Sequence, residues 1–457
     1  MKPLFERFTQ IHMVGIGGAG MEGMARILQQ LGCNVSGSDQ FDSAAVDDLR
    51  REGFEIFTGH RAAQVGAADL VVYSAAVPEN NEELDWARGG GIAVVKRAEL
   101  LGELTRSRYT IGVAGSHGKT TTAAMVAAIC RRAGLDPATA VGGHVDGRVE
   151  AGWGEGNVFV VEADEYDRSF LQLHPRLALI TGIDAEHLDC YGDLAAVQQA
   201  FGQFLGRLPF YGQGILAGDH SGVRALLAEQ ERGWLTYGLG NDNDYFAKEV
   251  DLQQWGSSFA MVGCGERLGD IELQVPGEYN VCNAVGAAAI AHVLEVDFAA
   301  VSSALRDFAG VERRFERKGE VGDILVVDDY AHHPVEIAAV LEAARHSGRR
   351  LVAVFQPHLY SRTQALMGEF ARALEGADQV VLTAVYGARE EAVPGVEADE
   401  IVRQMHNEGF AAAEYVPQLE DLASHLVAVC APGDLVLTMG AGNIDRIADE
   451  LLLALGA

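Results

Sequence analysis

No Cys-x-x-Cys pair occurs anywhere in this 457-residue chain; its six cysteines, at 33, 130, 190, 264, 282 and 430, are scattered. That spacing argues against structural zinc and for a reducing compartment. No apolar run approaches the ~18 residues of a membrane span, and the N-terminus lacks a signal-peptide pattern. The expectation is a soluble cytoplasmic protein with no membrane insertion. Basic residues are few, 35 Lys and Arg against 65 Asp and Glu, for a formal net charge of −30. Such a balance disfavours nucleic acid and anionic membrane as partners. It leaves nucleotides open, since they need only a locally positive pocket. Internal repeats, low-complexity tracts and long linkers are also missing. What the chain has in quantity is apolar residues, 48%, enough for full cores in about three domains at roughly 150 residues each.

The most informative stretch is Gly115-Ser116-His117-Gly118-Lys119-Thr120-Thr121-Thr122. It follows an apolar run, 109–114, and precedes a helix-like run, 123–129. Strand, Gly-Lys-Thr turn and helix together cradle a nucleotide triphosphate: backbone N–H groups face the phosphates, Lys119 offsets β/γ charge and the Thr120 hydroxyl ligates Mg²⁺. The strict P-loop pattern is missed, because its first glycine would fall at Val113. A loop lysine of this kind is expected to contribute little to the core.

Three α/β segments frame this loop. In the first, a strand at 11–14 leads into Gly15-Ile16-Gly17-Gly18-Ala19-Gly20, a second strand ends at Ser38-Asp39, and a third ends at Ser74. Gly15, Gly17 and Gly20 match G-x-G-x-x-G, with Asp39 placed for a ribose hydroxyl. The physical content is a pyrophosphate site at a helix N-terminus, which suits a UDP-sugar as well as NAD. In the second segment, strands are expected at 158–161 and 177–181. Glu162-Ala163-Asp164-Glu165 ends the first of these, where acids can hold Mg²⁺. His187 is read as ending the second; on residue type alone it is a structural imidazole more readily than a ligand. A strand-rich stretch, 211–275, and an alanine-rich helix, 280–294, follow. In the third segment, strands at 324–327, 351–355, 379–382 and 435–438 alternate with helices. Asp328 to Pro334 follow its first strand and Gln356 to Thr363 its second, at the edge where open α/β sheets bind ligands.

With these motifs in order, the chain resembles the Mur ligase family from end to end. The stretches that carry the resemblance are 11–21, 115–122, 162–165, 185–189, Asn280 to Ala284, Arg313 to Glu316, 329–334, 356–363 and 388–395. The resemblance implies an α/β, three-domain architecture: a Rossmann-like UDP-sugar domain (1–107), a central P-loop-type ATPase domain (108–313) and a Rossmann-like amino-acid domain (314–457). It implies ATP and Mg²⁺ as cofactors, and points to the branch that joins L-alanine to UDP-N-acetylmuramate, as a monomer or homodimer. Gly17, Gly18, Ala19 and Gly20, with Asp39 and Ser74, would hold the UDP-sugar. Gly115, Ser116, His117, Gly118, Lys119, Thr120 and Thr121 would hold ATP, with Asn280 at adenine and Arg314 and Asp329 reaching from the third domain. Thr120, Glu162 and His187 would bind the metal, so the resemblance reverses the reading of His187 from its residue type. Tyr330 and His358 would lie at the amino-acid pocket, with Lys119, His332 and Arg362 as catalytic residues.

Two features differ from sister ligases. Position 359 is Leu where relatives often carry Arg. No lysine occurs between Lys119 and Lys248, so a carbamylated lysine in the middle domain is ruled out, as expected for the alanine-adding branch. A ligase that attaches a whole peptide to the same sugar, a P-loop nucleotide switch and an NAD-dependent dehydrogenase stay open as alternatives.

Overall fold

The computed structural model describes residues 8–456 except Ala19 and Arg389, and except the side chains of Leu188 and Asp189. Two compact units are distinguished: residues 1–248, 260–269 and 282–305, and residues 249–259, 270–281 and 306–457.

The first unit opens with five parallel strands: β1 (Gln10–Val14), β2 (Asn34–Asp39), β3 (Glu55–Thr58), β4 (Leu70–Tyr73) and β5 (Ala93–Lys96), in the order β3-β2-β1-β4-β5. The order reverses between β1 and β4, so the crevice lies at the carboxyl end of β1, where the glycine turn sits. Gly15 takes φ +76° there, a conformation that costs glycine nothing. β3 and β5 are short, and their sequences carry little apolar alternation, so neither announces itself as a strand.

A second sheet is built around β6 (Tyr109–Ala114). With β7 (Ala138–Val145), β8 (Arg148–Gly152), β9 (Val158–Glu162), β10 (Leu177–Ile180), β11 (Gln213–Ala217), β12 (Leu235–Gly238), β13 (Tyr245–Gln253), β14 (Gly256–Gly263) and β15 (Glu266–Leu273), it runs β15-β14-β13-β12-β11-β10-β6-β9-β7-β8. β6 is thus flanked by β10 on one side and β9 on the other, both parallel to it. Its central residues Ile111 and Val113 are fully buried, as a strand covered on both faces must be. One apolar core joins the two sheets, from Ile11 and Met24 to Phe159, Phe201 and Phe204.

The second unit contains a six-stranded sheet: β16 (Glu316–Val321), β17 (Ile324–Asp329), β18 (Arg350–Phe355), β19 (Gln379–Leu382), β20 (Ala413–Tyr415) and β21 (Asp434–Met439), in the order β16-β17-β21-β18-β19-β20. Only β16 is antiparallel to its neighbour. Separate cores, one with Phe355 and Phe370 and one with Val354 and Ile447, pack its two faces.

Candidate functional site

The glycine turn is tied to the ends of β2 and β4. Gly15 and Ile16 donate their backbone N–H groups to the Ser38 carbonyl at 2.8 and 3.0 Å. Gly17 N–H donates to Asp39 Oδ2 at 2.8 Å, so one oxygen of the expected ribose acid anchors the turn. A Cβ on Gly18 would stand 3.2 Å from the Gly15 carbonyl oxygen and 3.7 Å from Ser74 Oγ. Gly17, Gly18, Asp39 and Ser74 are therefore brought together. Gly20, at φ +74°, caps the following helix Met21–Gln30 with no side-chain hydrogen bond. Ala19 lies outside the described residues.

The Gly-Lys-Thr loop leaves β6 and enters the helix Lys119–Arg132. Gly118 has φ +77°, and a Cβ there would stand 2.6 Å from Asn283 Oδ1, so the loop closes only with glycine. Ser116 Oγ accepts from Asp184 N–H at 2.8 Å, and His117 Nε2 lies 3.4 Å from Asp184 Oδ2. Thr121 is buried beneath the turn. Lys119 Nζ donates to the Gly115 carbonyl at 2.6 Å, to the Ser116 carbonyl at 3.2 Å and to Glu165 Oε1 at 3.0 Å. Its side chain is 14% exposed and that of Glu165 2%. Burial disfavours the ammonium, yet Glu165, Asp164 and Glu162 outweigh it and raise Lys119 above its ordinary value. Burial pushes the Glu165 carboxyl up to about 7, against the pull of Lys119.

Thr120 Oγ1 donates to Glu162 Oε1 at 2.9 Å, while Glu162 Oε2 accepts from Gly142 N–H at 2.7 Å. The expectation that His187 ends a strand is corrected: β10 stops at Ile180, and His187 sits in the loop beyond it at φ +53°. Glu162 and His187 also come from opposite sides of β6, not from neighbouring strands. Glu165, Glu186 and His187 present ligand atoms within 4.8 Å of one another. Hard carboxylate and hydroxyl oxygens around a lysine-bearing phosphate loop suit a magnesium–phosphate group. Glu165 and Glu186 were not singled out from sequence. Both lie inside acidic runs that were noticed, but nothing in a run says which carboxylate turns inward.

The second unit brings the C-terminal motifs together. Asp329 ends β17; its two oxygens accept from Phe315 and Ala331 N–H groups, each at 2.7 Å. Burial raises its carboxyl to about 7, although Arg314 opposes this. The Arg314 guanidinium stands 5.1 Å from the Tyr330 ring centre. Arg313, part of a motif quoted above but given no role there, holds Asp328 at 3.1 Å and the Gly440 carbonyl at 2.7 Å. His332 Nδ1 bonds the Tyr330 carbonyl at 2.9 Å, and its ring lies 6.0 Å from that of His358. Burial pushes His332 down to about 3, helped by Arg362 and Arg314 and opposed by Glu336, so its imidazole is neutral at pH 7. His358 stacks on Tyr386 at 5.8 Å. Arg362 opens the helix Tyr360–Leu374, and its Nη1 is buried without a hydrogen-bond partner among the described residues. Asn280 is buried, and its side-chain amide donates to the Pro276 carbonyl at 2.7 Å.

Three family profiles match the chain in order: the Mur ligase family catalytic domain over residues 10–109, the Mur ligase middle domain over 113–291 and the Mur ligase glutamate ligase domain over 313–442. The chain is 48% identical to the UDP-N-acetylmuramate–L-alanine ligase of Salinibacter ruber, over 99% of this chain and 96% of that one. It is 45% identical to the enzyme of the same name from Syntrophotalea carbinolica, over 98% of each. Among solved structures it is similar to a UDP-N-acetylmuramate-alanine ligase of Thermotoga maritima, with TM-score 0.83, 30% identity and coverage of 97% of this chain and 98% of that one. It is also similar to a murein peptide ligase of Psychrobacter arcticus, with TM-score 0.71, 27% identity and coverage of 98% and 99%.

Proposed function

Because the chain belongs to the Mur ligase family, we propose that it joins L-alanine to the carboxylate of UDP-N-acetylmuramate at the expense of ATP, in peptidoglycan precursor synthesis. The observation that carries this reading is the phosphate loop, where Lys119 is held by Glu165 and the Gly115 carbonyl and Thr120 donates to Glu162. A carboxylate does not acylate an amine at neutral pH, so ATP first converts it to an acyl phosphate. Lys119 and the Gly115–Thr121 backbone offset charge on the transferring phosphoryl group. Thr120, Glu162 and His187, with Glu165 and Glu186 beside them, are the residues to hold Mg²⁺, which when bound neutralises phosphate charge.

The glycine turn with Asp39 and Ser74 takes the UDP-sugar. We assign adenine to Asn280, ATP contacts to Arg314 and Asp329, and the amino acid to Tyr330, His332, His358 and Arg362. His332, held neutral and far below its ordinary basicity, is assigned to hydrogen-bond the incoming amine and not to deprotonate its ammonium, since so weak a base cannot take that proton. Domain boundaries near 107 and 313, and action in the cytoplasm where both nucleotides are found, complete the proposal. The test is phosphate release from ATP with UDP-N-acetylmuramate and single amino acids added in turn. Release that depends on L-alanine supports it. Release that depends only on a tripeptide moves the chain to the peptide-recycling activity, and hydrolysis independent of both makes it a nucleotide switch.

A further inference from the structure

A buried polar cluster lies beneath the glycine turn and is not used by the chemistry above. Glu83, fully buried on the helix Glu82–Gly89, receives three hydrogen bonds. His12 Nε2 approaches Oε1 at 3.2 Å, Ser38 Oγ approaches Oε2 at 2.6 Å, and His60 Nδ1 approaches Oε2 at 3.0 Å. Ser36 Oγ lies 2.9 Å from His12 Nδ1. Burial alone raises the Glu83 carboxyl, but His12, Ser38 and His60 more than reverse it and hold it below its ordinary range. Ionised Glu83 only accepts. His12 therefore carries its proton on Nε2, and its Nδ1 accepts from Ser36. His60 Nδ1 faces both Ser38 Oγ, at 2.9 Å, and Glu83 Oε2; with the Ser38 hydroxyl donating to Glu83, the proton between them is the one on His60 Nδ1.

Fixing the proton on Nδ1 leaves Nε2 of a neutral His60 as an acceptor. No hydrogen bond to His60 Nε2 is recorded among the described residues, and the side chain is 15% exposed. His60 follows β3 at its carboxyl end, and Gly59 N–H donates to the Asp39 carbonyl at 2.7 Å. Asp39 in turn holds Gly17 of the diphosphate turn. In a sheet of this order the nucleoside extends from the β1 turn across the ends of β2 and β3. Thr58, the last residue of β3, is pinned by Asp42 at 2.7 Å and Arg50 at 2.9 Å.

We propose that His60 accepts a hydrogen bond from the nucleoside of UDP through Nε2, and that Glu83, with His12 behind it, is a positioning residue that fixes its tautomer. The proposal rests on the UDP-sugar reading of the glycine turn. The donor on the ligand is either a ribose hydroxyl or the uracil imide N–H, and both present the same chemistry to Nε2.

Calorimetric binding of UDP alone to the full chain tests this. His60→Ala should weaken UDP about tenfold, the loss of one hydrogen bond to a buried partner, with the KM for ATP and L-alanine unchanged. If the ribose hydroxyl is the donor, the wild-type chain prefers UDP to 2′-deoxy-UDP and the variant does not. If the imide is the donor, the same holds for UDP over CDP. Glu83→Gln places an amide N–H against either His12 or His60; where nitrogen-15 NMR shows the His60 proton moved to Nε2, UDP binding should weaken, and where it shows His60 unmoved, UDP binding should stay at wild type. Should Glu83→Gln fail to fold, His60→Ala, at a partly exposed position, decides alone. UDP binding within about twofold of wild type in His60→Ala, with both ligand preferences kept, overturns the proposal while leaving the UDP-sugar site standing. A wild-type chain that binds neither UDP nor UDP-N-acetylmuramate overturns the UDP-sugar reading itself.

Discussion

Lys119 and Glu165 form a buried ion pair at the phosphate loop, with Nζ 2.8 Å from Oε2. A lysine in such a pair is not a neutral part of the fold, contrary to what its place in a loop suggests. Lys119→Ala is expected to abolish ligation, since transition-state charge stabilisation of this kind is worth roughly 10²-fold or more. It should also lower the melting temperature, because removing one partner of a buried pair costs roughly 3 kcal/mol. Lys119→Ala/Glu165→Gln should recover much of the stability and none of the activity. Thermal melts and phosphate release on the single and double variants check both halves.

Glu162 and His187 reach the loop from opposite flanks of β6. Glu162→Ala and His187→Ala should each raise the Mg²⁺ concentration needed for half-maximal rate, with the KM for UDP-N-acetylmuramate unchanged. Glu165→Gln, beside His187 at 3.7 Å, should behave likewise. Metal titrations of the rate separate the three; an unaltered magnesium requirement in all of them would falsify the assignment.

Gly18 is a better probe of the diphosphate turn than Gly17. A Cβ on Gly17 would press on Val46 Cγ2 at 2.7 Å, whereas on Gly18 the nearest atom is the Gly15 carbonyl oxygen at 3.2 Å. Gly18→Val should therefore fold, yet keep a diphosphate from the backbone. The expected result is a KM for the UDP-sugar raised about tenfold or more, equivalent to about 1.4 kcal/mol, with the KM for ATP close to wild type.

Arg362 carries a buried guanidinium nitrogen with no hydrogen-bond partner among the described residues, as an anchor awaiting a carboxylate should. Arg362→Lys keeps the charge and loses the planar fork. Its KM for L-alanine should rise several-fold, and that of Arg362→Ala much further. Leu359, at φ +69°, is a strained position, so Leu359→Gly should be tolerated by the fold. Initial rates against L-alanine at saturating nucleotides are the measurement. If Arg362→Ala alters only the ATP dependence, the residue belongs with the phosphates.

His332 and Asp329 oppose each other in the pH dependence of stability. His332 is held near 3, below its ordinary 6.5. The unfolded chain binds its proton first, so stability is present above pH 6.5 and falls as pH drops toward 3. Asp329 is held near 7, above its ordinary 3.8. The folded chain keeps that proton longer, so stability is present below pH 3.8 and falls as pH rises toward 7. Between pH 4 and 6.5 the two slopes, each up to about 1.4 kcal/mol per pH unit, offset one another. Denaturant melts of His332→Gln should expose the decline with rising pH, and those of Asp329→Asn the opposite slope.

Much of this site was legible because chemistry and punctuation coincide in the sequence. The Gly-Lys-Thr turn, the glycine turn and the ends of β17 and β18 each join an apolar run to residues whose type states a task. The contacts that the sequence left hidden are those between segments far apart in the chain. Glu165 could not be chosen over its neighbours in 162–165 without knowing that Lys119 faces it across 46 positions. Glu83 lies 71 positions from His12 in a helix with no motif of its own. β3, β5 and β20 are short edge or near-edge strands, whose pairing comes from their neighbours and not from their own periodicity. The extended β7–β8 hairpin, with its register shift between Ala140 and His144, is likewise a product of tertiary packing.

Glu162 joins Thr120 to the Gly142 amide, and Lys119 occupies the Gly115 and Ser116 carbonyls. The Lys119, Thr120 and Glu162 side chains are thus already paired within the protein. A nucleotide and its metal would have to displace these side-chain bonds before taking their place. Binding at such a loop is an exchange of partners, in which Lys119 and Thr120 leave protein oxygens for those of the ligand.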